Sequence, residues 1–301
     1  MVAPNLQNLP RGDDSDVQLW VKQMFITSPG NIFVAADFKG IEAQIVAVHA
    51  NDKEYLRLAK IDIHSYFTAH NLYRQGVITF EDVPQLKWSD ADLAGHLKVI
   101  KKKFNAERNI GKRCIHAGNY RVGPTKLHEE YPKWFPRVKD ASAVLKFFYE
   151  VFPSINAWHE RICLQVDKST VFRTSFGHIL RFYEVLKWQK VGSGYVWSYG
   201  DDAKRLIASG PQSDAALIGK RALKRCFYNY PESMAKWLRL FIHDEIFCEV
   251  PKNRADEAAG ILQFEMELPT KELALDPSWG YGNNLIVESE GKMGECWAGM
   301  H

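Results

Sequence analysis

Two apolar runs separated by a short polar tip stand out in the last third of the sequence. Leu238–Ile242 and residues 246–250 predict two strands, and the few residues between them allow only a tight hairpin. The tip carries His243, Asp244 and Glu245. Burying carboxylates on an apolar hairpin is costly unless a counter-charge or a metal pairs with them. An ordinary surface turn, in which Asp is common, is the alternative interpretation.

A second apolar run, residues 31–36, ends in a carboxylate at Asp37. A near-continuous apolar run of this kind predicts a buried central strand, with Asp37 at the point where the strand leaves the core. If this strand lies beside the hairpin, Asp37 and Asp244 converge. Two converging carboxylates suit a pair of Mg²⁺ ions, which prefer oxygen ligands and lie about 3.5–4 Å apart in sites of phosphoryl transfer.

The rest of the chain is predicted to be mainly helical. Apolar residues at helical spacing follow Asp37, and Asp62 is predicted to cap a further helix. Alternating residues on both sides of Gly177 predict two short strands. Other helices are predicted over residues 105–122, 140–168, 203–228 and 253–268, with loops over 1–30 and 76–95 and a closing strand in the C-terminal tail.

The predicted helix over residues 105–122 carries a regular set of polar side chains. Arg108, Lys112, His116 and Tyr120 follow one another at four-residue steps, so they share one face of a helix. Two cations followed by two flat groups would suit a nucleoside triphosphate, with charge for the phosphates and rings for the base. A solvated basic helix is the alternative interpretation.

Composition narrows the class of protein. The chain has 301 residues, a net charge of +3, 46% hydrophobic and 25% charged residues, which is ordinary for a globular protein. The basic residues cluster between positions 98 and 126, a distribution typical of phosphate binding. Five scattered cysteines show no metal-binding spacing, and no apolar run approaches the ~20 residues of a membrane span. We expect an intracellular, cytoplasmic protein, in the host cytoplasm if a bacteriophage encodes it.

Taken in order, these segments resemble the family A DNA polymerases, the bacterial polymerase I type. The segments DFKGIEAQ, RNIGKRCIHAGNY and HDE are similar to motifs A, B and C of that family. PNLQNLP, DIHSYFTA and GPQSDAA also resemble family segments and occur in the family's order. Each motif alone is weak, but the ordered set is specific and covers essentially the whole chain.

The resemblance implies an α+β fold of the polymerase right-hand type. A palm with an antiparallel sheet would comprise residues 1–60 and 195–301. Helical fingers, inserted between them, would comprise residues 61–194 and contain the motif B helix over 105–122.

The resemblance also implies template-directed nucleotidyl transfer, in which a primer 3′-hydroxyl attacks the α-phosphate of a dNTP and pyrophosphate leaves. Two Mg²⁺ ions would be held by Asp37, Asp244 and the backbone carbonyl of Phe38. Glu245 would be a supporting acid. Lys112 would meet the α-phosphate side and donate a proton to pyrophosphate.

Substrate contacts are implied in the same way. Arg108 would hold the γ-phosphate and His64 would help hold the triphosphate. Glu42 would exclude a 2′-hydroxyl, Tyr120 would lie under the template or nascent base pair, and His116 would lie near the incoming base and sugar. The expected contacts to primer–template DNA are Asn5, Gln7, Asn8, Gln212 and His243.

Three residues depart from the family pattern. His116 stands where the family usually has Phe or Tyr, Gly40 replaces a more polar residue, and Arg121 stands where Gly is common. None of these changes removes a metal ligand or a phosphate-binding cation, so catalysis is still expected.

The family carries a thumb, and usually a 3′–5′ exonuclease domain, upstream of the segment PNLQNLP. Because the 301-residue sequence begins just before this segment, we expect a truncated form or one subunit of a split polymerase. A second polypeptide would then supply the thumb and perhaps the exonuclease. Two other functions stay open: a non-catalytic DNA-binding or assembly subunit derived from a polymerase, and a single-subunit RNA polymerase-like enzyme, which Glu42 disfavours.

Overall fold

The computed structural model describes residues 22–300, which form two compact units. One unit comprises residues 22–41 and 214–300, and the other comprises residues 42–213. The predicted palm and fingers boundaries, at 60/61 and 194/195, stay predictions about those subdomains. No helix in residues 22–300 is long and apolar enough to cross a membrane.

The strands and α-helices of the described residues are named here in chain order. The strands are β1 (Asn31–Phe38), β2 (Val171–Arg173), β3 (Ile179–Arg181), β4 (Leu186–Val191), β5 (Gly194–Tyr199), β6 (Leu238–Ile242), β7 (Glu245–Pro251), β8 (Thr270–Ala274), β9 (Asn284–Leu285) and β10 (Ser289–Gly294). The α-helices are α1 (Ile41–Ala50), α2 (Lys53–Ile61), α3 (Ile63–Arg74), α4 (Asp90–Lys103), α5 (Asn105–Asn119), α6 (Pro124–Glu130), α7 (Val138–Val151), α8 (Pro153–Ser169), α9 (Ala203–Asn229), α10 (Met234–Trp237) and α11 (Ala255–Met266).

The unit of residues 22–41 and 214–300 is built around a four-stranded antiparallel sheet. Its strand order is β10-β1-β7-β6, so β1 is an inner strand, and β6 and β7 form the predicted hairpin. Four consecutive residues of β1, from Phe33 to Ala36, are buried. This burial explains the near-continuous apolar run, because helix α11 packs against β1. The predicted central strand and hairpin are both confirmed.

The unit of residues 42–213 is mainly helical and carries two small hairpins. The pair β2–β3 encloses Gly177, as the alternation predicted. The pair β4–β5 was not predicted. Helix α4 begins at Asp90, within the segment expected to be a loop, because Ser89 caps its N-terminus by accepting a hydrogen bond from the Asp92 amide.

Helix α5 packs against its neighbours through two glycines seven residues apart. A Cβ added at Gly111 would lie 2.2 Å from Thr68 Oγ1, and one at Gly118 would lie 2.3 Å from the ring of Phe148. The helix, predicted over 105–122, ends at Asn119. It stops there because Arg121 adopts the left-handed conformation, with φ at +54°.

Replacing Gly118 with alanine is therefore expected to destabilise the protein by about 1–3 kcal/mol, because the Phe148 ring must move to admit the methyl group. Gly95→Ala in α4 is the matched control. No atom lies within 4 Å of its added Cβ, so that variant is expected to be unchanged or up to about 1 kcal/mol more stable. Urea denaturation of both variants measures the difference, and equal effects would contradict the packing described for Gly118.

Candidate active site

Three carboxylates lie at one end of the four-stranded sheet. Asp37, near the end of β1, is the register partner of Glu245 at the start of β7. Asp244 precedes Glu245 in the two-residue connection from β6, whose last residue Ile242 pairs with Glu245. The register of β1 with β7 places the turn between β6 and β7 beside the C-terminal end of β1. The structure thus brings Asp37, Asp244 and Glu245 together.

The hairpin tip has a constrained backbone. His243 has a φ of +57°, whereas Asp244 has no positive φ, which is the pattern of a type II′ turn. Glycine is the preferred residue at this first position, so a histidine there is held at a conformational cost. The His243 side chain is exposed. A strained, exposed, polar residue at a turn between apolar strands is typical of a functional position.

A lysine completes the charge distribution at this end of the sheet. Lys292 on β10 places its Nζ 3.3 Å from Asp37 Oδ1, an ion-pair distance without hydrogen-bond geometry. Burial raises the pKa of Glu245, the Lys292 charge opposes this rise, and Asp37 and Asp244 add to it. Sequence reasoning missed Lys292, since its position beside Asp37 depends on the pairing of β10 with β1.

The acidic end of the sheet fits a divalent cation. The Oδ1 atom of Asp37 is shielded from solvent and accepts no hydrogen bond, so this carboxylate retains coordination capacity. Across residues 22–300, no cluster of three or more His, Cys, Asp or Glu side chains is arranged to enclose a metal. Mg²⁺ is commonly held by one or two carboxylates together with waters and substrate phosphates. Asp37 and Asp244 match that smaller donor set.

The second unit gathers several of the predicted phosphate-binding residues. Arg108 on α5 donates two hydrogen bonds to the Asp62 carboxylate, at 2.9 and 3.1 Å, and one to Ser65 Oγ at 2.9 Å. Asp62 also caps α3, as predicted, by accepting from the Ser65 amide. Burial alone would raise the pKa of Asp62, but the Arg108 and Ser65 hydrogen bonds outweigh it and lower the pKa. Arg108 is therefore held in place by a carboxylate that the sequence had indicated only as a cap.

His64 lies in the same cluster. Burial lowers its pKa to about 4, and the charges of Arg108 and Lys112 lower it further against the opposing effect of Asp62. The imidazole is thus neutral at pH 7. Its Nδ1 atom is shielded and has no hydrogen-bond partner. Lys112, one turn beyond Arg108, is exposed on the helix face. The cluster offers fixed positive charge and a neutral ring at one end of α5.

Glu42, His116 and Tyr120 form a second group in this unit. The His116 Nε2 atom lies 4.0 Å from a Glu42 carboxylate oxygen, and the His116 ring contacts the Tyr120 ring edge-on at 4.8 Å. Burial raises the pKa of Tyr120, and the nearby Glu42 charge raises it further. The Tyr120 hydroxyl nevertheless makes no hydrogen bond of ordinary geometry, so its contact with Glu42 is electrostatic. Burial also lowers the pKa of His116, partly offset by Glu42.

Buried polar residues hold the end of α5 in position. Asn119 accepts a 2.7 Å hydrogen bond from the Tyr55 hydroxyl, and its backbone carbonyl lies 2.9 Å from His159 Nε2. Because a carbonyl can only accept, Nε2 must carry the proton of His159, which is fully buried. These contacts fix the residue that precedes Tyr120.

His159 makes stability depend on pH. Burial lowers its pKa to about 4, against an ordinary value of 6.5, so the unfolded chain binds more protons between those two values. Stability is therefore expected to fall as pH decreases from 6.5 toward 4, by about 1.4 kcal/mol per pH unit for this residue. In His159→Gln, the slope of the free energy of unfolding against pH should be smaller by about 1.4 kcal/mol per pH unit, which corresponds to one proton. Denaturation at a series of pH values measures this slope. Equal slopes would contradict this account of His159.

A comparison with protein families decides the relationship of the chain. The model of DNA polymerase family A matches residues 91–298. The chain belongs to DNA polymerase family A.

Two relatives of this family A chain are much longer DNA polymerases. The mitochondrial DNA polymerase I B of Oryza sativa subsp. japonica is 26% identical over 305 residues, which cover 98% of this chain and 27% of that protein. The thermostable DNA polymerase I of Thermus thermophilus is 25% identical over 297 residues, which cover 98% of this chain and 30% of that protein. The chain thus spans less than a third of the length of these relatives.

A solved structure supports the fold of the family A chain. The POL domain of Pol1 from M. smegmatis, in complex with DNA primer–template and dNTP, aligns with a TM-score of 0.67. It is 17% identical, and the match covers 98% of this chain and 45% of that one. The predicted α+β fold class, with antiparallel sheets, is confirmed.

The predicted DNA contacts of the family A chain are only partly within the described residues. Gln212 is exposed on α9, and His243 is exposed at the hairpin tip. Asn5, Gln7 and Asn8 lie outside the described residues. Their roles, and those of the other site residues, stay predictions.

Proposed function

We propose that this chain is the catalytic palm and fingers module of a DNA polymerase, joining a dNTP to a primer 3′-hydroxyl as a template directs. The observation that carries the proposal is the register of β1 against the β6–β7 hairpin, which aligns Asp37 with Glu245 and brings Asp244 beside them. Membership of DNA polymerase family A supports the same reaction.

The proposal assigns the acidic end of the sheet to two Mg²⁺ ions. Asp37 and Asp244 would bind both ions, and the Phe38 carbonyl would add one oxygen. When bound, the ions would lower the pKa of the primer 3′-hydroxyl and balance the charge of the triphosphate and leaving pyrophosphate. Glu245 would be a supporting acid and not an obligatory ligand. Lys292 would balance the charge of Asp37 before the ions bind, since its Nζ lies 3.3 Å away.

The cluster on α5 is assigned to the triphosphate. Arg108 would hold the γ-phosphate, with Asp62 fixing the guanidinium until the nucleotide arrives. Lys112 would meet the α-phosphate side and donate a proton to pyrophosphate, where negative charge develops. His64, neutral at pH 7, can donate a hydrogen bond to a phosphate oxygen without adding charge.

The group around Glu42 is assigned to selection of the sugar and base pair. Glu42 would exclude a ribose 2′-hydroxyl, and a Glu42 carboxylate oxygen lies 4.0 Å from His116 Nε2. Tyr120 would lie beneath the template or nascent pair. His116 would lie near the incoming base and sugar, and closure of α5 on a correct pair would contribute to fidelity.

We also propose that these 301 residues act together with a thumb, supplied by other residues of the same polypeptide or by a second one. The match to the rice relative covers 27% of that protein, which is consistent with such an arrangement. Tested by themselves, the 301 residues should bind duplex DNA weakly and lose affinity steeply as salt increases. Long products at physiological salt from these 301 residues alone would contradict this part.

Primer extension with either dNTPs or rNTPs tests the proposed function. We expect extension with dNTPs and Mg²⁺, little extension with rNTPs, and a gain of rNTP use in Glu42→Ala. Preference for rNTPs in the unaltered chain would favour the RNA polymerase alternative. DNA binding without extension by either nucleotide would favour the non-catalytic subunit.

A further inference from the structure

The β4–β5 hairpin projects from the second unit and has no role in the reaction described above. Its base is anchored, since Val185 and Leu186 are buried and the Gly200 amide donates to the Val185 carbonyl at 2.8 Å. A Cβ at Gly200 would lie 2.2 Å from the Glu184 carbonyl oxygen, so the chain returns in close contact with the start of β4. The outer residues are exposed. The hairpin is therefore anchored at its base, and its outer part is exposed.

The two faces of the hairpin differ in chemistry. Cross-strand pairs Trp188–Trp197 and Lys190–Tyr195 put four side chains on one face, which we call the aromatic face. Trp188 is 50% exposed and Tyr195 67% exposed, whereas Trp197 is half-buried. The opposite face carries Lys187, Gln189, Val191, Val196 and Ser198.

Three carboxylates near the hairpin have partners on it. The carboxylates of Glu184 and Asp201 pair with Lys187 on the opposite face, at 3.7 and 3.0 Å. Asp167 accepts a 2.9 Å hydrogen bond from Trp188 Nε1, which fixes the indole by its edge. Lys190 is the charged residue that the hairpin itself contributes to the aromatic face.

The aromatic face is continuous with the end of the motif B helix. The Trp197 ring contacts the Tyr199 ring at 5.2 Å, and the Arg121 guanidinium lies 3.5 Å from the centre of the Tyr199 ring. Arg121 directly follows Tyr120, the residue predicted to lie under the templating pair. A row of rings and cations thus runs from α5 out along the hairpin. Arg121 makes this contact from a left-handed backbone conformation, with φ at +54°, where the resemblance implies that glycine is common.

We propose that the aromatic face binds the unpaired template strand, with its bases stacking on Trp188, Tyr195 and Trp197 and its phosphates meeting Lys190. The inference rests on the proposed function. Flat groups interleaved with cations are typical of single-strand binding, because every base offers a ring face whereas duplex bases are already stacked. Two cations, Arg121 and Lys190, are too few to grip a duplex by its phosphates alone.

Binding of a fluorescent oligo(dT) of about 12 nucleotides to the 301-residue chain tests the inference without requiring catalysis. Tyr195→Ala and Trp188→Ala are each expected to weaken binding about tenfold. Val196→Ala, on the opposite face and 50% exposed, is the matched control and should bind like the unaltered chain. Denaturation curves check that each variant is folded. Equal binding by all four proteins would overturn the inference and leave the aromatic face for a protein partner.

Primer extension then separates this inference from the proposed function. On a template with a long unpaired 5′ strand, Tyr195→Ala should require about tenfold more DNA for half-maximal rate. On a template with a single unpaired nucleotide, it should match the unaltered chain. If neither the unaltered chain nor the variant extends a primer on either template, the proposed function is contradicted. The oligo(dT) binding experiment would then still test the role of the hairpin.

Discussion

Replacing Asp244 with asparagine is expected to reduce nucleotide incorporation by about a thousandfold or more. The change removes one of two carboxylates that carry the proposed Mg²⁺ ions, while asparagine remains acceptable in a turn. The fold should therefore persist. Single-turnover incorporation of one nucleotide measures the rate, and titration of Mn²⁺ followed by electron paramagnetic resonance measures metal binding in the absence of substrate. We expect both to fall.

Glu290→Gln is the control for the Asp244 variant. Glu290 is an exposed residue of β10 and the register partner of Asp37. Its replacement by glutamine removes the same charge at the same end of the sheet. We expect its rate to stay within about twofold of the unaltered chain, because an exposed charge in high dielectric contributes little. Equal losses in the two variants would mean that general negative charge, and not a ligand at Asp244, supports activity.

Replacing Lys112 with alanine is expected to lower kcat/KM for the dNTP by about a hundredfold. The side chain is exposed on α5, so its loss should leave stability nearly unchanged. Its proposed role lies where charge develops on the α-phosphate and pyrophosphate, which is why the rate should respond more than nucleotide binding does. Lys112→Arg should recover part of the loss, because the positive charge is kept.

Arg113→Ala separates this role from the general effect of a basic helix. Arg113 is an exposed cation adjacent to Lys112 but lies about 100° around the helix from it. We expect at most a severalfold loss in kcat/KM. Similar losses in Lys112→Ala and Arg113→Ala would favour the solvated basic helix that the sequence left open.

Much of the sheet could be predicted because its signals are local. The apolar run before Asp37 and the two runs flanking Asp244 each indicate a strand without reference to the rest of the chain. The pairing of β1 with the β6–β7 hairpin was predicted on one assumption, that the central strand lies beside the hairpin. The register of Asp37 with Glu245 agrees with it.

The parts that sequence reasoning missed depend on tertiary neighbours. Lys292 sits beside Asp37 only because β10 pairs with β1, and nothing in its own segment indicates a charged partner. The hydrogen bonds from Arg108 to Asp62 join residues 46 positions apart. The close approach of the Phe148 ring to Gly118 likewise depends on the packing of two helices. The sequence therefore did not indicate that this position requires glycine.

Two local features were also misjudged. Helix α5 ends where Arg121 adopts a left-handed conformation. Glycine is the usual residue at such a position, so an arginine there did not indicate the end of the helix. The β4–β5 hairpin turns at Gly192, with φ at +63°, within a segment that had been assigned no element. The two strands carry few core residues, so no alternation of buried and exposed positions marks them in the sequence.

Template-directed incorporation of a single nucleotide by the purified 301-residue chain tests whether these residues form a polymerase active site. The chain would be used in excess over DNA at low salt with Mg²⁺, on four primer–templates that differ in the next template base, each offered the four dNTPs separately. We predict rapid addition of the complementary nucleotide in each case and none after chelation of the metal. Addition that ignores the template base, or that persists without a divalent cation, would contradict the account.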